Sequence, residues 1–331
     1  MSSKVLVTGG LGWLGSRLIQ RLIHEKREIV CVNFYDASKN KLPESLRNYD
    51  KLKIVSGDIR KPDEFIEELK DCKTVFNCAA LQHTKFTKDI YGVNRDGAAN
   101  LLRLCIEANV PKFIHVSSCS VHGCNKDINN PITEETPLNP IHHIAKSKAE
   151  GERLINKLSK NSKIKTVILR PAVFYGTNPS KNRVELVKKI KNGYSIIFGE
   201  NGFLRTYVDV EKVAEALLLA EKHGKHLNFY LIGDKKPINT LQFYKCIADE
   251  VNVKLKLIRL PPIASRFSEK LAIISGYCNI HLGLPTTAGE FGRNIVISSE
   301  KAIKELRYKP HESSERGLRK MARSVIADLK L

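Results

Sequence analysis

The sequence predicts a doubly wound parallel α/β sheet with a smaller C-terminal α/β lobe. Three observations predict it. Short apolar runs alternate with helical patterns through the first 170 residues. The runs are nearly continuous in Val, Ile, Leu and Phe, as strands buried on both faces require. The first run feeds a glycine-rich turn that opens a helix.

The elements follow in order. Lys4 to Val7 is an apolar run stopping at Thr8-Gly9-Gly10, a buried strand entering a tight turn. Ser16 to Ile23 carries Leu18, Ile19, Leu22 and Ile23 at helical spacing. Ile29 to Val32 and Lys53 to Val55 are the next strands, and Pro62 to Leu69 is a helix with Pro in its first turn. Thr74 to Ala80 is a fourth strand, and Asn94 to Ala108 an amphipathic helix. Lys112 to Val116, the helix Ala145 to Leu158 and the strand Thr166 to Leu169 complete the alternation. The right-handed crossover rule turns this alternation into a Rossmann sheet.

Beyond Arg170-Pro171 the pattern is irregular. Glu185 to Lys191, Val213 to Glu221, Leu241 to Val251 and Ser299 to Leu306 read as helices, and Phe229 to Ile232 as a strand. The expected organisation is a nucleotide domain over 1–170, rejoined by 204–234, with 171–331 mainly a substrate lobe. Pro261 to Gly289 has no assigned pattern, and its run Leu271 to Ser275 fits either a core helix or the lobe.

Composition narrows the class. The 331 residues are 42% apolar and 27% charged, an ordinary globular balance. No apolar run reaches the roughly 18 residues of a membrane span, and no signal-peptide pattern opens the chain. The eight dispersed cysteines include no C-x-x-C pair, so neither a disulfide framework nor a metal site is expected, and the expected location is cytoplasmic. The net charge is +20. Residues 1–150 hold 22 basic and 18 acidic side chains, whereas 151–331 hold 33 and 17. The basic second half fits an anionic ligand or a solvated lysine-rich surface. No nucleic-acid motif accompanies the charge, so no nucleic-acid partner is expected.

Gly10-Leu11-Gly12-Trp13-Leu14-Gly15 fits G-x-G-x-x-G between a strand and a helix. Glycines there allow a tight turn and close approach of backbone N–H groups to a pyrophosphate, and the helix start adds favourable charge. About 20 residues further, where an acid would meet a ribose hydroxyl, stands Asn33, with Asp36, Lys39 and Lys41 beyond it. That leaves NAD and NADP both open.

With these residues in place, the chain resembles an extended short-chain dehydrogenase/reductase of the NAD(P)-dependent epimerase/dehydratase group, which acts mostly on nucleotide sugars. Thr8-Gly9-Gly10-Leu11-Gly12-Trp13-Leu14-Gly15 is similar to its T-G-x-x-G-x-x-G turn. Gly57-Asp58-Ile59-Arg60 resembles the adenine-side segment, and Asn77-Cys78-Ala79-Ala80 the strand end beside the nicotinamide. Val93-Asn94-Arg95-Asp96-Gly97 resembles V-N-x-x-G, Ser117 to Gly123 the catalytic-serine segment, and Leu169-Arg170-Pro171 to Tyr175-Gly176 the R-P-x-x-V-Y-G segment. Arg205-Thr206-Tyr207-Val208 resembles the phosphate-arginine strand, and Ser299 to Pro310 the tail.

The resemblance implies cofactor contacts from the glycine turn, Asn33, Asp58, Ile59, Ala79, Ala80, Asn94, Lys148 and Pro171. It implies substrate contacts from His83, Tyr175, Arg205 and Arg293, and a homodimer formed through the helices Asn94 to Ala108 and Ala145 to Leu158. It also exposes three departures. The Y-x-x-x-K dyad keeps Lys148 but has Ile144 in place of Tyr; His122 replaces a Tyr; Lys212 stands where an Asp is frequent. The lost phenol is the proton carrier, a contribution of about 10²–10⁴ in rate. Ser118 and Lys148 remain as catalytic candidates, and His143, His142, His122, His83 and Tyr175 as substitutes for the phenol. Each histidine also reads as an ordinary hydrogen-bonded imidazole, and Ser118 as a strand-end cap. Three functions stand at this point: hydride transfer on a nucleotide sugar, reduction of a sterol-like or other non-sugar carbonyl, and dinucleotide binding without turnover as a sensor, scaffold or partner subunit.

Overall fold

The structure, a computed structural model, describes residues 3–34, 48–82 and 84–329. Asp36, Lys39, Lys41 and His83 lie outside the described residues. The first half runs β1 (Lys4–Thr8), α1 (Trp13–His24), β2 (Glu28–Asn33), β3 (Leu52–Ser56), β4 (Thr74–Asn77), α2 (Thr87–Tyr91), α3 (Ala98–Glu107), β5 (Lys112–Val116), α4 (His143–Ser159) and β6 (Lys165–Pro171). There follow β7 (Val173–Tyr175), α5 (Lys181–Lys191), β8 (Tyr194–Phe198), β9 (Leu204–Arg205), β10 (Tyr207–Asp209), α6 (Val210–His223) and β11 (Asn228–Ile232). The chain ends with β12 (Ile238–Asn239), α7 (Thr240–Glu250), β13 (Lys256–Leu260), α8 (Pro262–Tyr277), α9 (Gly283–Phe291) and α10 (Glu315–Leu329).

Seven parallel strands form the central sheet in the order β3-β2-β1-β4-β5-β6-β11. Chain direction across the sheet reverses beside β1, the point where an open α/β sheet leaves a crevice at its carboxyl ends. Alternate strand residues fill opposite cores. Val5, Val7, Ile29 and Cys31 pack in the core that includes α1 and α6, while Leu6, Val30 and Val32 pack in the core that includes α3. The lobe has its own core, in which Tyr207, Phe243 and Ile247 meet Leu318 and Met321 of α10. Three two-stranded pairings, β10-β7, β12-β9 and β13-β8, complete it.

Three elements differ from their sequence patterns. The helix expected over Asn94–Ala108 starts at Thr87 and passes through a π turn at Gly92–Gly97. That irregular turn lets the Asn94 amide reach two other elements, and a Cβ on Gly97 would lie 2.9 Å from Ile59. The segment Pro62–Leu69 is a 3-10 helix broken at Phe65, whose buried ring packs under Gly57. The helix expected at Ser299–Leu306 is closed by a π turn at Ala302–Leu306, stopped by Arg307 in the left-handed region at φ 62°. The unassigned stretch Pro261–Gly289 folds as the helices α8 and α9.

Candidate active site

The glycine turn is built for close backbone approach. Gly9 has φ 65° and donates its N–H to the Val32 carbonyl at 2.8 Å. A Cβ there would stand 2.9 Å from the Ala79 backbone, and one on Gly15 would stand 2.3 Å from the Gly9 carbonyl oxygen. Gly12 caps α1 in an extended conformation with no side-chain partner, and it is exposed. The start of α1 has no side-chain cap, and an uncapped helix start of this kind, at the helix's positive end, suits a pyrophosphate. Leu11 and Leu14 are buried in the core. Trp13 donates to the Thr177 carbonyl at 3.0 Å and packs edge-on against Phe174. These three side chains shape the turn and leave its backbone available.

At the carboxyl end of β2, the Asn33 carbonyl accepts the Gly57 N–H at 3.0 Å. The Asp58 carboxylate accepts from the Arg60 backbone N–H at 2.9 Å and from its Nε at 2.7 Å. Burial works to raise the Asp58 pKa, but the Arg60 hydrogen bonds outweigh it and hold it below the ordinary value. The Arg60 guanidinium lies 5.2 Å over the Phe34 ring, and Ile59 is buried beneath the π turn.

On the opposite side, Ala79 and Ala80 follow β4. Asn94 ties this strand end down: its Oδ1 accepts the Leu81 N–H at 2.8 Å, while its Nδ2 donates to the Leu81 carbonyl at 2.9 Å and to Ser147 Oγ at 3.1 Å. Pro171 ends β6 beside Ile232 of β11. Tyr175 is buried in the lobe core, its hydroxyl donating to Asp234 at 2.7 Å.

Helix α4 carries Ile144 and Lys148. Its N-cap His142 accepts the Ala145 N–H on Nδ1. Ile144, Lys148 and Glu152 follow at i, i+4 and i+8, one above another on a single face. Ile144 is half-buried and Lys148 fully buried. Lys148 Nζ donates to the Val116 carbonyl at 3.2 Å, at the end of β5 and just before Ser117-Ser118. Burial lowers the Lys148 pKa to about 8, against the upward pull of Glu152. Ser118 Oγ accepts from the Ser120 N–H at 3.2 Å and from its hydroxyl at 2.9 Å, which leaves its own hydroxyl proton available for donation.

The histidines are held differently. His122 meets the Thr136 carbonyl through Nδ1 at 2.8 Å and Arg170 through Nε2 at 3.0 Å. A carbonyl only accepts and a guanidinium only donates, so Nδ1 carries the proton and Nε2 accepts. Burial and the Arg170 charge push the His122 pKa down to about 4, so the ring is neutral at pH 7 with both nitrogens engaged. Arg170 in turn grips Glu152 through Nε at 3.1 Å and through a terminal nitrogen at 2.5 Å. His143 donates from Nε2 to the Ile273 carbonyl at 3.1 Å and accepts the Tyr91 hydroxyl on Nδ1 at 3.2 Å. Burial lowers its pKa as well.

The two expected substrate arginines are both closed by carboxylates from the α8–α9 hairpin. Arg205 donates to the Glu290 carbonyl oxygen at 2.6 Å and lies 3.7 Å from its carboxylate, which also meets His142 Nε2 at 2.7 Å. Burial acts to raise Glu290, but His142, Arg205 and Arg183 together hold it at about 2. Arg293 forks onto Glu269 and reaches Cys124 Sγ. Sequence reasoning missed Glu290, Glu269, Tyr91 and Glu152. Only Glu152 left a local signal, its i+4 spacing from Lys148.

A glycine cradle at a helix start, a parallel sheet and a buried lysine at a strand end define a Rossmann dinucleotide-binding protein. The chain belongs to the NAD dependent epimerase/dehydratase family, which matches residues 5–233, and its cofactor is a nicotinamide dinucleotide. A UDP-glucose 4-epimerase of Vibrio cholerae is 27% identical over 256 residues, covering 75% of this chain and 76% of its own. Short-chain dehydrogenase/reductase family 42E member 1 of Danio rerio is 28% identical over 333 residues, covering 92% and 84%. Among solved structures, dTDP-glucose 4,6-dehydratase of Bacillus anthracis in complex with NAD shares the fold with a TM-score of 0.80 at 19% identity, over 99% of this chain and 98% of that one.

Proposed function

We propose that the chain transfers a hydride between a nicotinamide dinucleotide and an alcohol or carbonyl carbon of a nucleotide sugar, with Lys148 itself as the acid–base group. The observation that carries this is the buried Lys148 ammonium, with its pKa brought down to about 8 beside Ser118. An amine titrating there holds and releases a proton near neutral pH, the condition efficient acid–base catalysis needs. The glycine turn, Asp58 and the Ala79 backbone would hold the dinucleotide, which supplies the hydride acceptor or donor when bound. Ser118 orients the substrate oxygen through its free hydroxyl proton. In the oxidising direction, the neutral Lys148 amine takes the hydroxyl proton as the C–H hydride leaves. In reduction, its ammonium returns that proton to the carbonyl oxygen. Ile144 lines this point without exchanging a proton. A substrate diphosphate would compete with Glu290 for Arg205.

A second reading, an apolar alcohol or ketone as substrate, is favoured by Glu290 and Glu269. These carboxylates neutralise Arg205 and Arg293 within the protein. The test is a panel of UDP-, dTDP- and GDP-sugars and sterol alcohols with NAD⁺ or NADP⁺, read by reduced-nicotinamide absorbance and product analysis across pH 6–10. Turnover with a sugar that rises through about pH 8, and is lost in Lys148→Met while dinucleotide binding persists, supports the proposal. Turnover with sterols alone moves the substrate to the second reading. Binding of the dinucleotide with no hydride transfer on any substrate overturns catalysis for a binding role.

A further inference from the structure

Helix α8 is inverted relative to an ordinary surface helix. Its buried face is Ser265, Glu269, Ala272 and Gly276, with Glu269 packed on Gly289 of α9, Ser265 on Gly292 and Gly276 on His143 of α4. Its outward face carries Ile263, Phe267, Leu271, Ile274 and Tyr277, at i, i+4, i+8, i+11 and i+14, with Phe267 72% and Tyr277 75% exposed. A soluble surface helix arranges these classes the other way round. The stripe continues beyond the helix. Leu284 of α9 is exposed, and Ile280 forms a β-bridge with Phe86, both exposed as well. An apolar patch of this kind, rimmed by charge, marks an interaction surface.

The rim is basic. Arg266 and Lys270 are exposed on or beside the stripe. Lys88 lies 5.7 Å over the Phe86 ring, and Lys146 lies 5.8 Å over the Tyr277 ring. Both ammonium groups lie over aromatic rings of the patch, a cation–π arrangement that sets positive charge on it. The whole chain carries +20.

We propose that this face docks on a bilayer surface containing anionic phospholipid, with α8 lying in the interface plane. Apolar side chains would enter the headgroup–acyl boundary, and Arg266, Lys270, Lys88 and Lys146 would meet the lipid phosphates. A second copy of the chain fits less well, because a two-fold contact would set basic rim against basic rim. Among the described residues no helix is long and apolar enough to cross a membrane, so α8 would lie on the surface and not span it. The α4 start lies behind α8, where His143 bonds the Ile273 carbonyl and packs against Gly276.

The test is flotation of the full chain with vesicles of phosphatidylcholine alone or mixed with phosphatidylglycerol. The chain is expected to float with the mixed vesicles and not with phosphatidylcholine alone. The double variant Phe267→Ser/Ile274→Ser should lose about tenfold or more in partitioning. Arg266→Glu/Lys270→Glu should remove the anionic preference. Both variants alter exposed side chains and should keep the parent's circular dichroism and melting temperature. Failure of the parent to float, flotation unaffected by the apolar double variant, or a dimer in light scattering that this variant dissociates would each overturn the proposal.

Discussion

Replacing Lys148 by Met should stabilise the protein at neutral pH and do so less as the pH rises. The side chain is buried, and its pKa falls from an ordinary 10.5 to about 8 because burial disfavours the ammonium. Below pH 8 the lysine is charged in both folded and unfolded states, and the full destabilisation applies. Above 10.5 it is neutral in both, and the destabilisation vanishes. The size follows from the displacement: about 3 kcal/mol at pH 7, shrinking to about 1 kcal/mol at pH 10. Met has nearly the same length and no charge, and Glu152 keeps Arg170 as its partner when Lys148 is gone. Urea unfolding of the parent and Lys148→Met at pH 7 and pH 10 reads both values. A variant less stable than the parent at pH 7, or a gain that does not shrink toward pH 10, would refute the reasoning. A gain of this size would show that the parent carries a destabilising charge where Ser118 and the cofactor cradle meet.

Ile144→Tyr places a phenol four residues before Lys148 on the same helical face. Oxidation rate is expected to rise about tenfold or more in steady-state assays at pH 7, with the pH profile moving downward. Glu152→Gln leaves the buried Arg170 without its counter-charge, and should lower stability by about 3–5 kcal/mol in urea unfolding. His143→Ala unpairs the Tyr91 hydroxyl and the Ile273 carbonyl. It should cost about 1–3 kcal/mol in thermal unfolding while leaving the pH profile of turnover centred near the parent's. Gly15→Ala drives a methyl into the Gly9 carbonyl, and should abolish dinucleotide binding by calorimetry or unfold the turn outright.

The parts of the molecule that obey local rules were legible in the sequence. Val5 to Val7 and Ile29 to Val32 show as strands because parallel strands covered on both faces are apolar at every position. The glycine turn shows because Gly9 and Gly15 answer steric demands that only glycine meets. The expectation that Lys148 keeps one member of a Y-x-x-x-K dyad, with Ile144 at the other, comes from the family resemblance and not from spacing alone. The rest rests on tertiary encounters. Glu290 closing Arg205, Glu269 closing Arg293 and Tyr91 meeting His143 join positions far apart in the chain, with no periodic trace. Helix α8 has no assigned pattern in the sequence, its run Leu271 to Ser275 fitting either a core helix or the lobe, and the fold turns its large apolar side chains outward. The roles of His122 and His143 were open for the same reason, since spacing places an imidazole on a turn but does not name its partners.

The seventh strand has a consequence for how the chain acquires its shape. β11 covers the outer edge of β6, and its pairing Asn228↔Val167 through Ile232↔Pro171 waits for residues made well after β6 itself. A nascent chain ending at Pro171 would present Val167, Ile168 and Leu169 as an open edge, a template for pairing with another chain. On the ribosome β6 is paired with β5 alone, and its outer edge stays open until the segment through β11 has emerged. Fragments cut between β6 and β11 should aggregate, whereas a cut placed after Ile232 would keep β6 paired on both sides.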